Sequence, residues 1–242
     1  MKHIPNLITS LNLVSGFIAV IFAARGDIIS ASWLIVAAMI FDFLDGFSAR
    51  LLKAYSDIGK ELDSLADVVS FGVAPAIIVF HLLSNTLAPE SLLMKEGIGV
   101  SFLLLIPAIM PVCAALRLAK FNLDSSQSVI FKGLPTPANA IAIISLILAM
   151  NFSSSKILDL IVNSPLILLT YTIILSLLMV SKIKLFSLKI KSLEFRGNEG
   201  RYLLSCLIVL AFITSGPASL LLIIPLYIIS SLIHFSMKNN LG

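Results

Sequence analysis

An all-α bundle of about eight membrane-crossing helices, with the N- and C-termini both cytoplasmic, is the fold class this sequence predicts. Three observations lead there. Of the 242 residues, 58% are hydrophobic and only 12% charged, about half the charged share of soluble domains, and mean hydropathy is +1.05. Apolar residues gather into eight stretches, at roughly 11–24, 30–50, 62–83, 98–121, 137–152, 158–181, 202–216 and 218–236, and no alternating strand pattern supports a barrel. Basic residues are also unevenly spread. With a cytoplasmic N-terminus and alternating crossings, fourteen of the 17 Lys and Arg face inward. Only Arg25, Lys95 and Lys156 face outward, the bias that sets orientation in membrane proteins.

Each stretch has its own signals. Asn6, Thr9, Ser10 and Asn12 make a poor lead-in for a signal peptide, and Ala23-Ala24-Arg25 lacks a cleavage pattern. A short interfacial segment and a retained first span are expected. The second and third spans flank a brief polar connection, where Ser56-Asp57 marks a helix N-cap. Pro75 is expected to kink the third span, and Pro135 and Pro137 to shape entry into the fifth. Gly216-Pro217 separates the last two spans as a turn, since one helix of about 35 residues exceeds a single crossing. The longest polar stretch, 182–201, alternates lysines with Ile183, Leu185, Leu188 and Ile190, so it is read as a loop against anionic headgroups. One domain over 1–242 is expected. Cys113 and Cys206 lie in apolar stretches and read as core packing, not a disulfide. Three scattered histidines exclude a histidine-rich metal site. The net charge of +4 points to lipid headgroups or phosphates and not to nucleic acid.

The chemistry lies between Asp42 and Asp67, in DFLDGFSARLLKAYSDIGKELDSLAD. The pattern is D-x2-D-G-x2-A-R-x8-G-x3-D-x3-D. Asp42 and Asp45 share one helical face, as do Asp63 and Asp67. Each carboxylate near mid-bilayer costs about 2.5–3.5 kcal/mol, so four of them call for a cation. Hard oxygen ligands favour magnesium, manganese or calcium. A hairpin of the second and third spans brings the two pairs face to face. Four carboxylates can hold two divalent ions, the usual clamp for displacement at phosphorus. Gly46, Ala49 and Gly59 let a ligand approach the backbone, and Arg50 offers a fork of donors to phosphate.

This stretch resembles the signature of the CDP-alcohol phosphatidyltransferases, with every specified position present. The resemblance implies transfer of a phosphatidyl group from CDP-diacylglycerol to an alcohol, with release of CMP. It implies Asp42, Asp45, Asp63 and Asp67 as ligands of Mg2+ or Mn2+, two ions being expected, and Asp67 as general base. Gly46, Ala49, Arg50 and Gly59 then belong to the CDP-diacylglycerol wall, joined by Asn6, Thr9 and Asn12 at the interface.

Beyond the signature, IPNLITSLNLVSGFIAV, LDSLADVVSFGVAPA, ALRLAKFN and KGLPTPANA are similar to the membrane-spanning phosphatidylserine synthases. L-serine is therefore the expected acceptor. Its carboxylate wants a cation, and Arg117, Lys120 and Lys132, with Asn122 as a hydrogen-bonding group, stand at the expected depth. Lys120 sits where those relatives more often have arginine, which keeps the charge and loses the bidentate fork. Rival readings are another acceptor (glycerol 3-phosphate, inositol phosphate or choline), a cation-coupled transporter, and a non-catalytic scaffold. Membrane lipids are the surroundings, a bacterial inner (plasma) membrane with the site facing the cytoplasm is the expected location, and Gly72/Ala76 and Ala115/Ala119 permit a homodimer.

Overall fold

The computed structural model describes residues 3–87, 98–123, 130–153, 155–186 and 198–240. Helices dominate. They are α1 (Ile4–Ala24), α2 (Ile28–Leu51), α3 (Asp57–Asp67), α4 (Ala74–Leu87), α5 (Ile98–Leu105), α6 (Ile109–Leu123), α7 (Thr136–Phe152), α8 (Lys156–Asn163), α9 (Pro165–Val180), α10 (Glu199–Ser215) and α11 (Ile223–Asn240). Two short strands, β1 (Ile130–Lys132) and β2 (Lys184–Phe186), pair antiparallel with Lys132 opposite Lys184. Lys95 and residues 187–197 of the basic stretch lie outside the described residues.

Helix α1 buries small and polar side chains and turns large apolar ones outward. Buried residues of α1 include Thr9, Asn12, Ser15, Gly16, Ala19 and Ala23, while Leu7, Val14 and Phe17 are exposed. Lipid is as apolar as leucine, so small and polar side chains gain most from helix contact. Gly16 shows how close that contact is: a Cβ there would sit 2.7 Å from Ser70 Cα.

Among the described residues, five helical stretches are long and apolar enough to cross a membrane, or six if α8 and α9, bent by 84°, count as one. Eight were expected, and the difference has physical causes. The helix α7 is only 17 residues long and is sheathed by other helices along most of its length. The stretch Glu199–Ser236 passes as one 38-residue unit yet folds back on itself. Gly216 has φ +54°, and Gly200 at the start of α10 lies against His234 near the end of α11.

Several local expectations shift. Helix α1 begins at Ile4, not near residue 11, so Asn6, Thr9 and Asn12 belong to the span itself. Ser56 caps α3, accepting from Gly59 N–H at 3.0 Å. Asp27 caps α2 by accepting from Ser30 N–H, which holds its carboxyl below the usual range. The third span runs unbroken from Asp57 to Leu87 through a π-helical turn, Val68–Val73. Pro75 has no N–H for the Phe71 carbonyl, and Asn139 Nδ2 on α7 donates to it instead at 3.4 Å. Cys113 is buried, but Cys206 is exposed; on the bundle exterior, lipid replaces the core as its apolar surroundings. Gly72 and Ala76 are buried, with Pro111 and Ala114 of α6 at Gly72, so this pair is used within the chain. Ala115 and Ala119 are exposed.

Candidate active site

The acidic motif folds as a helical hairpin. α2 carries Asp42 and Asp45 near its C-terminal end, and α3 carries Asp63 and Asp67 on one face. One carboxylate oxygen each from Asp42, Asp63 and Asp67 lies within 4.8 Å of the others. Asp45 stands beside this trio. It is buried, its Oδ2 has no hydrogen-bond partner, and it lines a neighbouring cavity.

Asp67 is the deepest member, 7% exposed. Asn12 Nδ2 of α1 donates to its Oδ1 and Thr136 Oγ1 of α7 to its Oδ2, both at 3.5 Å. Asp42, Asp63 and Asp45 all repel its charge. Three converging carboxylates with only hard oxygen donors fit a divalent cation: neutral donors alone do not balance that repulsion, and carboxylate oxygen suits Mg2+ or Mn2+.

One cavity borders the cluster through Asp63, and a second is linked to it by the Arg117–Asp67 interaction. The first, about 160 Å³, is lined by Asp45, Gly46, Ala49, Gly59 and Asp63, and from α1 by Asn6 and Thr9. Close approach explains Gly59: a Cβ there would sit 2.8 Å from Asn6 Oδ1. Arg50 is exposed beside Gly46, with its guanidinium 3.6 Å from where a Gly46 Cβ would stand. Asn12 lies deeper, on Asp67.

The second cavity, about 520 Å³, is basic. Arg117, Lys120, Lys132 and Lys182 line it with Met179, Val180 and Ser181. Arg117 is 7% exposed and its Nε has no hydrogen-bond partner. It lies within electrostatic reach of Asp67, which joins this cavity to the acidic cluster. Gly133, at φ +80°, follows the lining Lys132. It sits against the carbonyls of Leu178 and Ser181, where a side chain has no room. Gly133 N–H donates to Ile183 O and Leu134 N–H to Leu178 O, both at 2.9 Å.

Asn122 does not line this cavity. Its amide donates to Ser64 Oγ, and its carbonyl accepts from Lys60 Nζ, both at 2.9 Å, tying α6 to α3. Sequence reading missed Lys182, Thr136 and Asn139. Thr136 and Asn139 lie in the KGLPTPANA segment, which offered a signal. Lys182 lies in a basic loop without any distinguishing pattern.

Comparison with known proteins follows the same division. The family model described as CDP-alcohol phosphatidyltransferase matches residues 2–180, which leaves α10 and α11 outside it. A Bacillus subtilis protein named CDP-diacylglycerol–serine O-phosphatidyltransferase is 36% identical over 184 residues, covering 76% of this chain and 90% of its own. Proteins of the same name from Helicobacter pylori and Methanocaldococcus jannaschii are each 35% identical, over 74% and 75% of this chain and 70% and 72% of theirs. With its acidic hairpin intact and three quarters of its length matched, this chain belongs to the CDP-alcohol phosphatidyltransferase family.

Proposed function

We infer that this chain is a phosphatidylserine synthase. It transfers a phosphatidyl group from CDP-diacylglycerol to the hydroxyl of L-serine and releases CMP. The carrying observation is the basic cavity beside the acidic cluster, in a chain whose bacterial and archaeal relatives bear that enzyme name. A serine carboxylate suits a buried guanidinium with an unpartnered Nε.

In this reading the acid-lined cavity takes the CDP end of the lipid substrate. Gly46, Ala49 and Gly59 admit it, Asn6 and Thr9 offer polar contacts, and Arg50 waits at the rim for phosphate. Asp42, Asp45, Asp63 and Asp67 hold Mg2+ or Mn2+, two ions by the carboxylate count, which when bound neutralise the diphosphate and polarise phosphorus. Asp67, oriented by Asn12 and Thr136, takes the proton from the serine hydroxyl. The serine oxygen forms the new bond to phosphorus, the bond to the CMP oxygen breaks, and CMP leaves with its electron pair. Arg117, Lys120, Lys132 and Lys182 hold the serine carboxylate. Asn122 acts on the acceptor side through α6, not by contact.

Purified protein given labelled CDP-diacylglycerol and a panel of alcohols tests this. Serine-dependent CMP release, abolished by chelation, is expected. Equal use of glycerol 3-phosphate, inositol phosphate or choline overturns the acceptor, and activity surviving chelation overturns the metal site.

The finer topology belongs to the same proposal. Counting α7, the bent α8–α9 pair and both legs of the α10–α11 hairpin gives eight crossings, with cytoplasmic termini and the site facing the cytoplasm of a bacterial inner membrane. Cysteines at Asp27 and Ala54 should then label from opposite sides. The chain is one domain over 1–242, because residues 216–222 pack on α7. A homodimer, if formed, uses the exposed Ala115/Ala119 face of α6.

A further inference from the structure

The C-terminal hairpin lies outside the matched family region, yet it packs on β2, whose partner strand carries the cavity-lining Lys132. Tyr227 of α11 is 3% exposed, and its hydroxyl donates to the Phe186 carbonyl of β2 at 2.8 Å. The Phe186 ring meets Tyr227 edge-on at 5.4 Å and His234 at 6.0 Å. Arg201 of α10 stands 6.0 Å over the same ring. Gly200 leaves room for this packing: a Cβ there would lie 3.0 Å from Phe186 Cε1 and 3.0 Å from His234 Cβ.

Phe186 ends the strand that begins at Lys184, and Lys184 pairs with Lys132. Lys132 and Lys182 both line the cavity. Two lysines directly opposite in a strand pair repel, and a two-stranded ribbon of three residues a side has little stability alone. Something must hold it.

We propose that the α10–α11 hairpin is the positioning element of the acceptor cavity, with Tyr227 as its positioning residue: by holding Phe186 it sets the β1–β2 ribbon so that Lys132 and Lys182 face a carboxylate bound at Arg117. This rests on the acceptor reading of that cavity. Tyr227 touches neither substrate; it acts through the ribbon.

The test is steady-state kinetics of full-length enzyme in mixed micelles, with serine and CDP-diacylglycerol varied separately. Tyr227→Phe keeps the ring and removes one hydrogen bond, so KM for serine should rise about fivefold, with kcat and KM for CDP-diacylglycerol within about twofold. Gly200→Ala should act in the same direction by pressing on the Phe186 ring. Lys182→Gln, which removes a cavity cation directly, should raise the serine KM as well. If Lys182→Gln raises it and neither hairpin variant does, the positioning role is overturned. If a hairpin variant impairs both substrates alike, or fails to insert, the hairpin is a general stabiliser and the proposal fails. If Lys182→Gln leaves serine KM unchanged, the acceptor reading falls first, whatever Tyr227 shows.

Discussion

The two cavities beside the acidic cluster are built in opposite ways. The acid-lined one comes from neighbouring segments: the end of α2, the connection to α3, the start of α3, and one face of α1. Its residues recur at helical spacing within a short stretch. The basic one draws Arg117 and Lys120 from α6, Lys132 from β1, and Lys182 from the segment after α9, and the strand paired with β1 accepts a hydrogen bond from Tyr227. Local helical geometry makes the first; distant backbone pairing makes the second. On the proposed reading, the site for the shared diphosphate is local, and the site for the acceptor is drawn from distant segments of the chain.

Substitutions can break that division. The largest effect is expected at the acidic cluster. Asp67→Asn should lower kcat at least about 100-fold. Asp63→Asn should lose as much, but excess divalent metal should partly restore it. Equal metal rescue of both variants makes Asp67 a ligand only, and the proton then goes elsewhere.

Next in size is the basic side. Arg117→Met removes a buried charge that binds through charge-assisted hydrogen bonds, worth about 1.5–3 kcal/mol each. KM for serine should rise about 10- to 100-fold while KM for CDP-diacylglycerol holds. A rise in both would merge the two cavities into one site.

A smaller effect of the opposite kind is expected from Gly59→Val. Its side chain would press on Asn6 and narrow the acid-lined cavity. KM for CDP-diacylglycerol should rise several-fold with serine unaffected, measured in the same micelles.

The smallest effect is expected at the π-helical turn of the third span. Asn139→Leu leaves the Phe71 carbonyl without its partner, costing about 1–3 kcal/mol. Thermal unfolding should come earlier, with both KM values unchanged. Unchanged stability would mean that the π-helical turn satisfies that carbonyl in another way.

Much of this protein was legible before any coordinates. Hydropathy alone marks a helical membrane protein, because a backbone in lipid must satisfy its own hydrogen bonds. The acidic signature is legible because residues three and four apart must share a helix face, and Ser56 reads as a cap because an oxygen acceptor is wanted there. Tertiary structure decided what spacing cannot encode. Asp45 stands beside the trio and not in it, since two antiparallel helices need not present all four carboxylates at one point. Pro75 leaves the Phe71 carbonyl to a partner, Asn139, 68 positions from it along the chain. Lys182 joins Arg117 because Gly133 lets one backbone lie against another, and Tyr227 reaches Phe186 because the chain turns back at Gly216. Spacing along a helix is a local property that the sequence carries by itself; which distant backbones meet depends on how the helices pack.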